Sequence, residues 1–166
     1  MADFTCDTNY LVPTGFKVSI SRENYPNLEF FAQQVQHPSM DITPTEVAYR
    51  RVGSVVTPGD TITFGALNMD VLLDENMKVY EELYDWFVRL VNENHKNNTG
   101  KMYDDSLSSY CDIRVSVLSS HNNSNRTIKY VNALPISLGD IAFTASTDEQ
   151  FISFPVTFRF DYFELT

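Results

Sequence analysis

Hydrophobic and polar residues alternate most clearly over residues 151–166, FISFPVTFRFDYFELT. Ile152, Phe154, Val156, Phe158, Phe160 and Tyr162 fall on one parity, and Ser153, Pro155, Thr157, Arg159 and Asp161 on the other. Side chains alternate across a strand with period two, so the pattern predicts one long strand with an apolar face and a wet face. Such a strand belongs to an extended sheet rather than to the wall of a compact pocket. Shorter runs predict further strands at Phe16, Val18 and Ile20, over 28–36, over 111–119 with Ile113, Val115 and Val117, over 127–134 and over 141–146. Polar clusters at 21–27, 121–126 and 147–150 predict turns, and PISLGD (135–140) predicts a corner. The run over 60–73 changes parity part-way. Ile62 and Phe64 lie on one side, Leu67, Met69, Val71 and Leu73 on the other. Gly65 stands at the switch, the position of a β-bulge.

Only residues 74–93 carry a helical period. Met77, Tyr80, Leu83, Tyr84, Phe87, Leu90 and Val91 recur at steps of three and four, while Lys78, Glu81, Glu82, Asp85 and Arg89 cover the other side. Asp74 is a suitable N-cap, and Glu75 complements the helix dipole. Trp86 lies to one side of this stripe, where core packing is the usual fate of a lone tryptophan. The predicted fold is therefore mainly β with one α-helix, an antiparallel barrel or sandwich. One domain accommodates all 166 residues.

Residues 37–59, HPSMDITPTEVAYRRVGSVVTPG, fit neither period well. Three prolines and two glycines exclude a central strand, and the length is uncommon for an idle loop. The segment reads as a long loop or a protruding two-stranded ribbon. Val47, Tyr49 and Val52 are too apolar to stay in water and are candidate contacts to a neighbouring subunit. Arg50 and Arg51 would meet acidic groups there. Residues 1–14 read as an arm ended by Pro13, and 92–109 as a polar loop.

Charge narrows the function. The chain has 22 acidic and 12 basic residues, a net charge of −10, which argues against gripping nucleic acid. MADFTCDTNY has neither a basic start nor an apolar run, so no signal peptide is expected, and no stretch is apolar enough to span a bilayer. Cys6 and Cys111 make no disulfide framework and are expected to be reduced.

No constellation points to catalysis. His37, His95 and His121 stand in loop sequence with no second ligand at helical spacing, so no metal site is expected. Cys111 could meet His37 or His121 in space, but nothing in its surroundings would lower its pKa. No phosphate-binding or dinucleotide-binding glycine motif occurs. The reading is a non-enzyme without cofactors.

Three stretches carry a family resemblance. In residues 61–87 a Val71-Leu72-Leu73-Asp74-Glu75 strand end leads into a helix holding Asp85–Trp86. Leu134-Pro135-Ile136-Ser137 follows, and then the last strand with Thr157-Phe158 and Asp161-Tyr162. Over nearly its whole length the chain resembles the tail-tube proteins of contractile-tailed bacteriophages, whose fold recurs in baseplate tube initiators and type VI secretion tubes. The loop over 92–109 is longer than that family pattern. The resemblance implies a single tail-tube domain over 1–166. Six copies would form a ring-shaped β-barrel around a channel, rings would stack, and 37–59 would reach the next ring. Implied partners are further copies, sheath, baseplate and tape-measure proteins, with phage DNA passing unbound. The implied location is the virion tail, assembled in host cytoplasm, without membrane insertion. A tube initiator, a capping or neck protein and a secretion-machine tube share the fold. Two other readings belong to different classes: a β-sandwich binding ligands through loops near Asn97 and Asn122, and a hydrolase using Cys111.

Overall fold

A computed structural model describes residues 11, 13–20, 32–51, 53–94, 109–144 and 151–166. The predicted arm over 1–10, the turn at 21–27, the start of the strand at 28–31, Val52, most of the 92–109 loop, and the turn at 147–150 lie outside the described residues. The chain forms β1 (Phe16–Ser19), β2 (Ala32–Gln36), β3 (Met40–Ile42), β4 (Thr45–Tyr49), β5 (Gly53–Thr57), β6 (Ile62–Phe64), β7 (Leu67–Leu72), α1 (Lys78–Asn94), β8 (Cys111–Leu118), β9 (Ser124–Leu138), β10 (Ser153–Arg159) and β11 (Tyr162–Leu165). All pairings are antiparallel.

The 15-residue β9 organises the main sheet. Its first half pairs with β8, which carries β1, and on its other side with β11. Its second half pairs with β10, followed by β7 and β2. The two wings meet at Asn132. There β9 takes one residue more than β8, since Cys111 is level with Ala133 and Ile113 with Tyr130. Asn132 absorbs the extra residue in the left-handed region (φ 54°), which asparagine tolerates better than most residues.

The core lies between the wings and the helix. Val18, Ile113, Val115 and Tyr130 come from the first wing. Phe154, Val156 and Phe158 from β10 stand level with Val71, Met69 and Leu67 of β7 and complete the second wing's inner face. Val79, Leu83 and Trp86 of α1 close it. The Trp86 ring lies 6.0 Å from that of Phe158, Tyr80 meets Phe154 edge-on at 5.6 Å, and the indole N–H donates to the Ser109 carbonyl at 3.1 Å.

Several sequence expectations are corrected. The helix begins at Lys78, not Asp74. Residues 74–77 form a turn in which Met77 adopts φ 54° and its N–H donates to the Asp74 carbonyl at 3.0 Å. Asp74 still caps, its carboxylate accepting from the Val79 N–H at 3.3 Å. The buried stripe runs through Val79, Leu83 and Trp86, whereas Met77, Tyr84 and Val91 are exposed. Arg89, expected on the wet face, is 7% exposed. The strand over 60–73 is interrupted rather than bulged. At Gly65, whose N–H donates to the Ser39 carbonyl at 2.9 Å, the chain leaves one sheet for another.

Pro135 is no corner. It sits buried inside β9, level with Phe158 and beside a register shift, where a residue without an N–H removes no ladder bond. Residues 141–144 form no strand; 145 and 146 lie outside the described residues. The terminal strand is two strands. Phe160 and Asp161 interrupt it where its partner β9 bends, the Asp161 N–H donating to the Val131 carbonyl at 3.1 Å. The parity inverts there, so Phe163 packs on the core and Tyr162 is exposed. Ile152, on the apolar parity, is nevertheless at the exposed margin, and Phe160 packs on Phe64, Tyr130 and Phe163.

Candidate assembly interface

Residues 37–59 form a ribbon with a root, a stem and a tip. At the root His37 Nδ1 and the Tyr130 hydroxyl lie 2.7 Å apart, and the imidazole meets Phe163 edge-on at 5.0 Å. Phe64, on the returning strand, lies 5.7 Å from Phe160 and 5.3 Å from Phe163. Pro38 is buried beside them. Burial lowers the pKa of His37 below its ordinary value and pushes that of Tyr130 up to about 12, so both are neutral at pH 7. The root is thus a cluster of neutral aromatic rings that fixes where the ribbon leaves the body.

The stem pairs β3 with β6, Met40 level with Phe64 and Ile42 with Ile62. Gly59 turns tightly here. A Cβ on it would collide with the Thr43 carbonyl oxygen. Beyond this, β4 and β5 make a hairpin, and the Thr57 hydroxyl donates to the Thr45 carbonyl at 2.8 Å.

The tip holds the predicted contact residues. Val47 and Tyr49 lie on one ribbon face, level with Val55 and Gly53. Arg50 and Arg51 occupy the connecting turn, Arg51 at φ 86°. Val52 lies outside the described residues. Every described residue from 39 to 56 is exposed, including Met40, Ile42, Val47, Tyr49, Val55 and Val56. Sequence reading missed Val55 and Val56 as contact candidates and missed the aromatic root. Adjacent glycine and proline blurred the alternation around the valines. The root is assembled from four distant parts of the chain, at 37, 64, 130 and 160–163, and leaves no local signal.

Cys6 and His95 lie outside the described residues, and the described candidates Cys111, His37 and His121 each have separate partners. Cys111 is buried with its sulfur facing the Asp112 carbonyl at 3.8 Å, His37 is engaged with Tyr130, and His121 Nδ1 lies 3.2 Å from the Ser120 hydroxyl. Among the described residues no group of three or more His, Cys, Asp or Glu side chains could hold a metal ion. No described helix is long and apolar enough to cross a membrane.

The same architecture occurs in solved structures. The chain is similar to the tube-terminating cap of the anti-feeding prophage at 13% identity, with a TM-score of 0.69, covering 99% of this chain and 95% of that chain. It is similar to a chain of the extended sheath–tube complex of an extracellular contractile injection system at 16% identity, TM-score 0.68, covering 96% and 93%. It is also similar to a chain of the sheath/tube terminator of such a system at 18% identity, TM-score 0.66, covering 96% and 99%. At these identities the likeness is one of fold. No curated protein matches the chain. The family model for phage tail tube proteins matches residues 3–166, and the chain belongs to that family.

Proposed function

We propose that this chain is a structural subunit of a tail tube, with no enzymatic role. Six copies close into a ring around a channel, rings stack, and the 37–59 ribbon, through Val47, Tyr49, Arg50, Arg51 and Val52, contacts a neighbouring subunit. The observation that carries this reading is the ribbon itself. Aromatic contacts hold it at its root, yet it exposes Val47, Tyr49 and Val55 on one face and Val56 on the other, and clustered exposed apolar groups mark interaction sites. Closing sheets across subunits would also protect the free edges of β1, β2 and β11. The net charge of −10 suits a channel through which DNA passes without adhering. Sheath, baseplate and tape-measure proteins are the expected partners, and the virion tail, assembled in host cytoplasm, the expected location.

Light scattering and negative-stain imaging of the purified protein test the reading. Rings of six or stacked tubes are expected, and a monomer persisting at high concentration would overturn it. Arg50→Glu with Arg51→Glu should leave the subunit folded, because exposed charges contribute little to stability. It should impair stacking, because opposed like charges across an interface are penalised. A tube-capping position is the second reading, favoured by the fold likeness to a terminating cap. A cap would give rings that do not polymerise, whereas a main tube subunit forms filaments.

A further inference from the structure

The helix carries a second apolar stripe that the described residues leave largely exposed. On a helical wheel Tyr84, Val91 and the half-buried Val88 fall within one narrow arc, well away from Val79, Leu83 and Trp86. Tyr84 is 54% exposed and Val91 58% exposed. Glu81 and Asp85, both exposed, flank the stripe on one side, with Lys78 beyond them. The ribbon tip has the converse composition. Val47, Tyr49 and Val55 form its apolar face, and it ends in Arg50–Arg51, the chain's one adjacent pair of basic residues.

Resting on the reading of the ribbon as an inter-subunit element, we infer that the ribbon of one copy docks on the outer stripe of α1 in a neighbouring copy. Val47, Tyr49 and Val55 lie against Tyr84, Val88 and Val91, and Arg50 and Arg51 face Glu81 and Asp85. The dimensions agree. Tyr84 to Val91 spans about 10 Å at 1.5 Å per helical residue, and Val47 to Arg50 about 10 Å at roughly 3.3 Å per strand residue. Charge selects a second copy as the occupant. A basic tip on a chain of net charge −10 is attracted to the acidic flank of α1, whereas two ribbons or two helix flanks repel. Each copy offers one ribbon and one helix, different surfaces that join head to tail, and such contacts propagate into rings or filaments.

A charge-exchange series tests this. The tip variant (Arg50→Glu with Arg51→Glu) and the helix variant (Glu81→Arg with Asp85→Arg) should each lower the assembled fraction at least about tenfold at low salt. The four-fold combination should return to within about twofold of wild type. A second measurement is independent of that rescue. In a Cys6→Ser background, a mixture of Tyr49→Cys and Tyr84→Cys subunits should form a disulfide-linked pair on oxidation, and neither variant alone should. If wild type forms rings or tubes but the helix variant assembles normally, or the mixed cysteines fail to cross-link, the ribbon docks elsewhere and this inference falls while the tube reading stands. If wild type never assembles, both fall.

Discussion

Asn132 holds the bend in β9 by three connections. Its backbone takes the left-handed conformation, its N–H donates to the Asp112 carboxylate at 3.2 Å, and its side-chain amide donates to Asp161 at 2.7 Å. Asn132→Gly keeps the conformation and loses the side-chain hydrogen bond, a cost of about 1 kcal/mol. Asn132→Ala loses the bond and adds about 1–2 kcal/mol of left-handed strain, so urea midpoints should rank wild type, then Gly, then Ala. Burial pushes Asp112 up, but bonds from Lys129 (2.9 Å) and the Asn132 N–H outweigh it and hold its carboxyl below the ordinary 3.8. His37 lies below its ordinary 6.5, through burial. A lowered folded pKa gives stability that is complete above the unfolded value and lost as pH falls through the folded one. His37 therefore removes stability first, as pH falls from its ordinary 6.5 through its lowered folded value, and Asp112 only in stronger acid. Tyr130, which faces His37, stays neutral throughout. The wild-type Tm should decline over the His37 window, and His37→Gln, which cannot titrate, should flatten that part of the profile.

Between elements, α1 meets β10 through aromatic rings, Trp86 with Phe158 and Tyr80 with Phe154. Phe158 and Trp86 are both fully buried there, so Phe158→Ala or Trp86→Ala should cost about 3–5 kcal/mol, measured by denaturant unfolding. Thr157, on the opposite face of β10, donates to the Asn68 side chain at 3.1 Å across an exposed surface, and Thr157→Ala should cost less than about 1 kcal/mol. Comparable losses at 157 and 158 would refute the assignment of faces. Parity in FISFPVTFRF was enough to assign these faces, since alternation follows directly from strand geometry. It was not enough to find the break at Phe160–Asp161, because Phe160 and Tyr162 continue the pattern in sequence while the bend in β9 ends it in space. Helical periodicity likewise located α1 but merged two stripes into one. Seven apolar positions satisfied the period, and only packing separates Leu83, which is buried, from Tyr84 and Val91, which are exposed. Pro135 misled because a proline ends a regular ladder but fits a bulge.

At the scale of the whole molecule, the body and the ribbon answer to different demands. The body buries its own core and would keep it without the ribbon, whose side chains over 39–56 lie in water wherever described. That separation was legible in sequence as a segment too long and apolar for an idle loop and too rich in proline for a central strand. Its stem was not, because β3 and β6 are three residues each and lie about twenty positions apart. The root at His37, Phe64, Tyr130, Phe160 and Phe163 divides the two parts, so removing the hairpin above it should not loosen the body. Replacing residues 45–57 by a short Gly-Asn turn between β3 and β6 should change Tm by no more than a few degrees, since it deletes little buried surface. The same excision should abolish stacking, because it removes the apolar tip and both arginines at once. If the shortened protein unfolds, the ribbon stabilises its own subunit. If it still stacks, the contact lies elsewhere on the surface. An unchanged Tm with lost assembly is the combination that only a dedicated interface element produces.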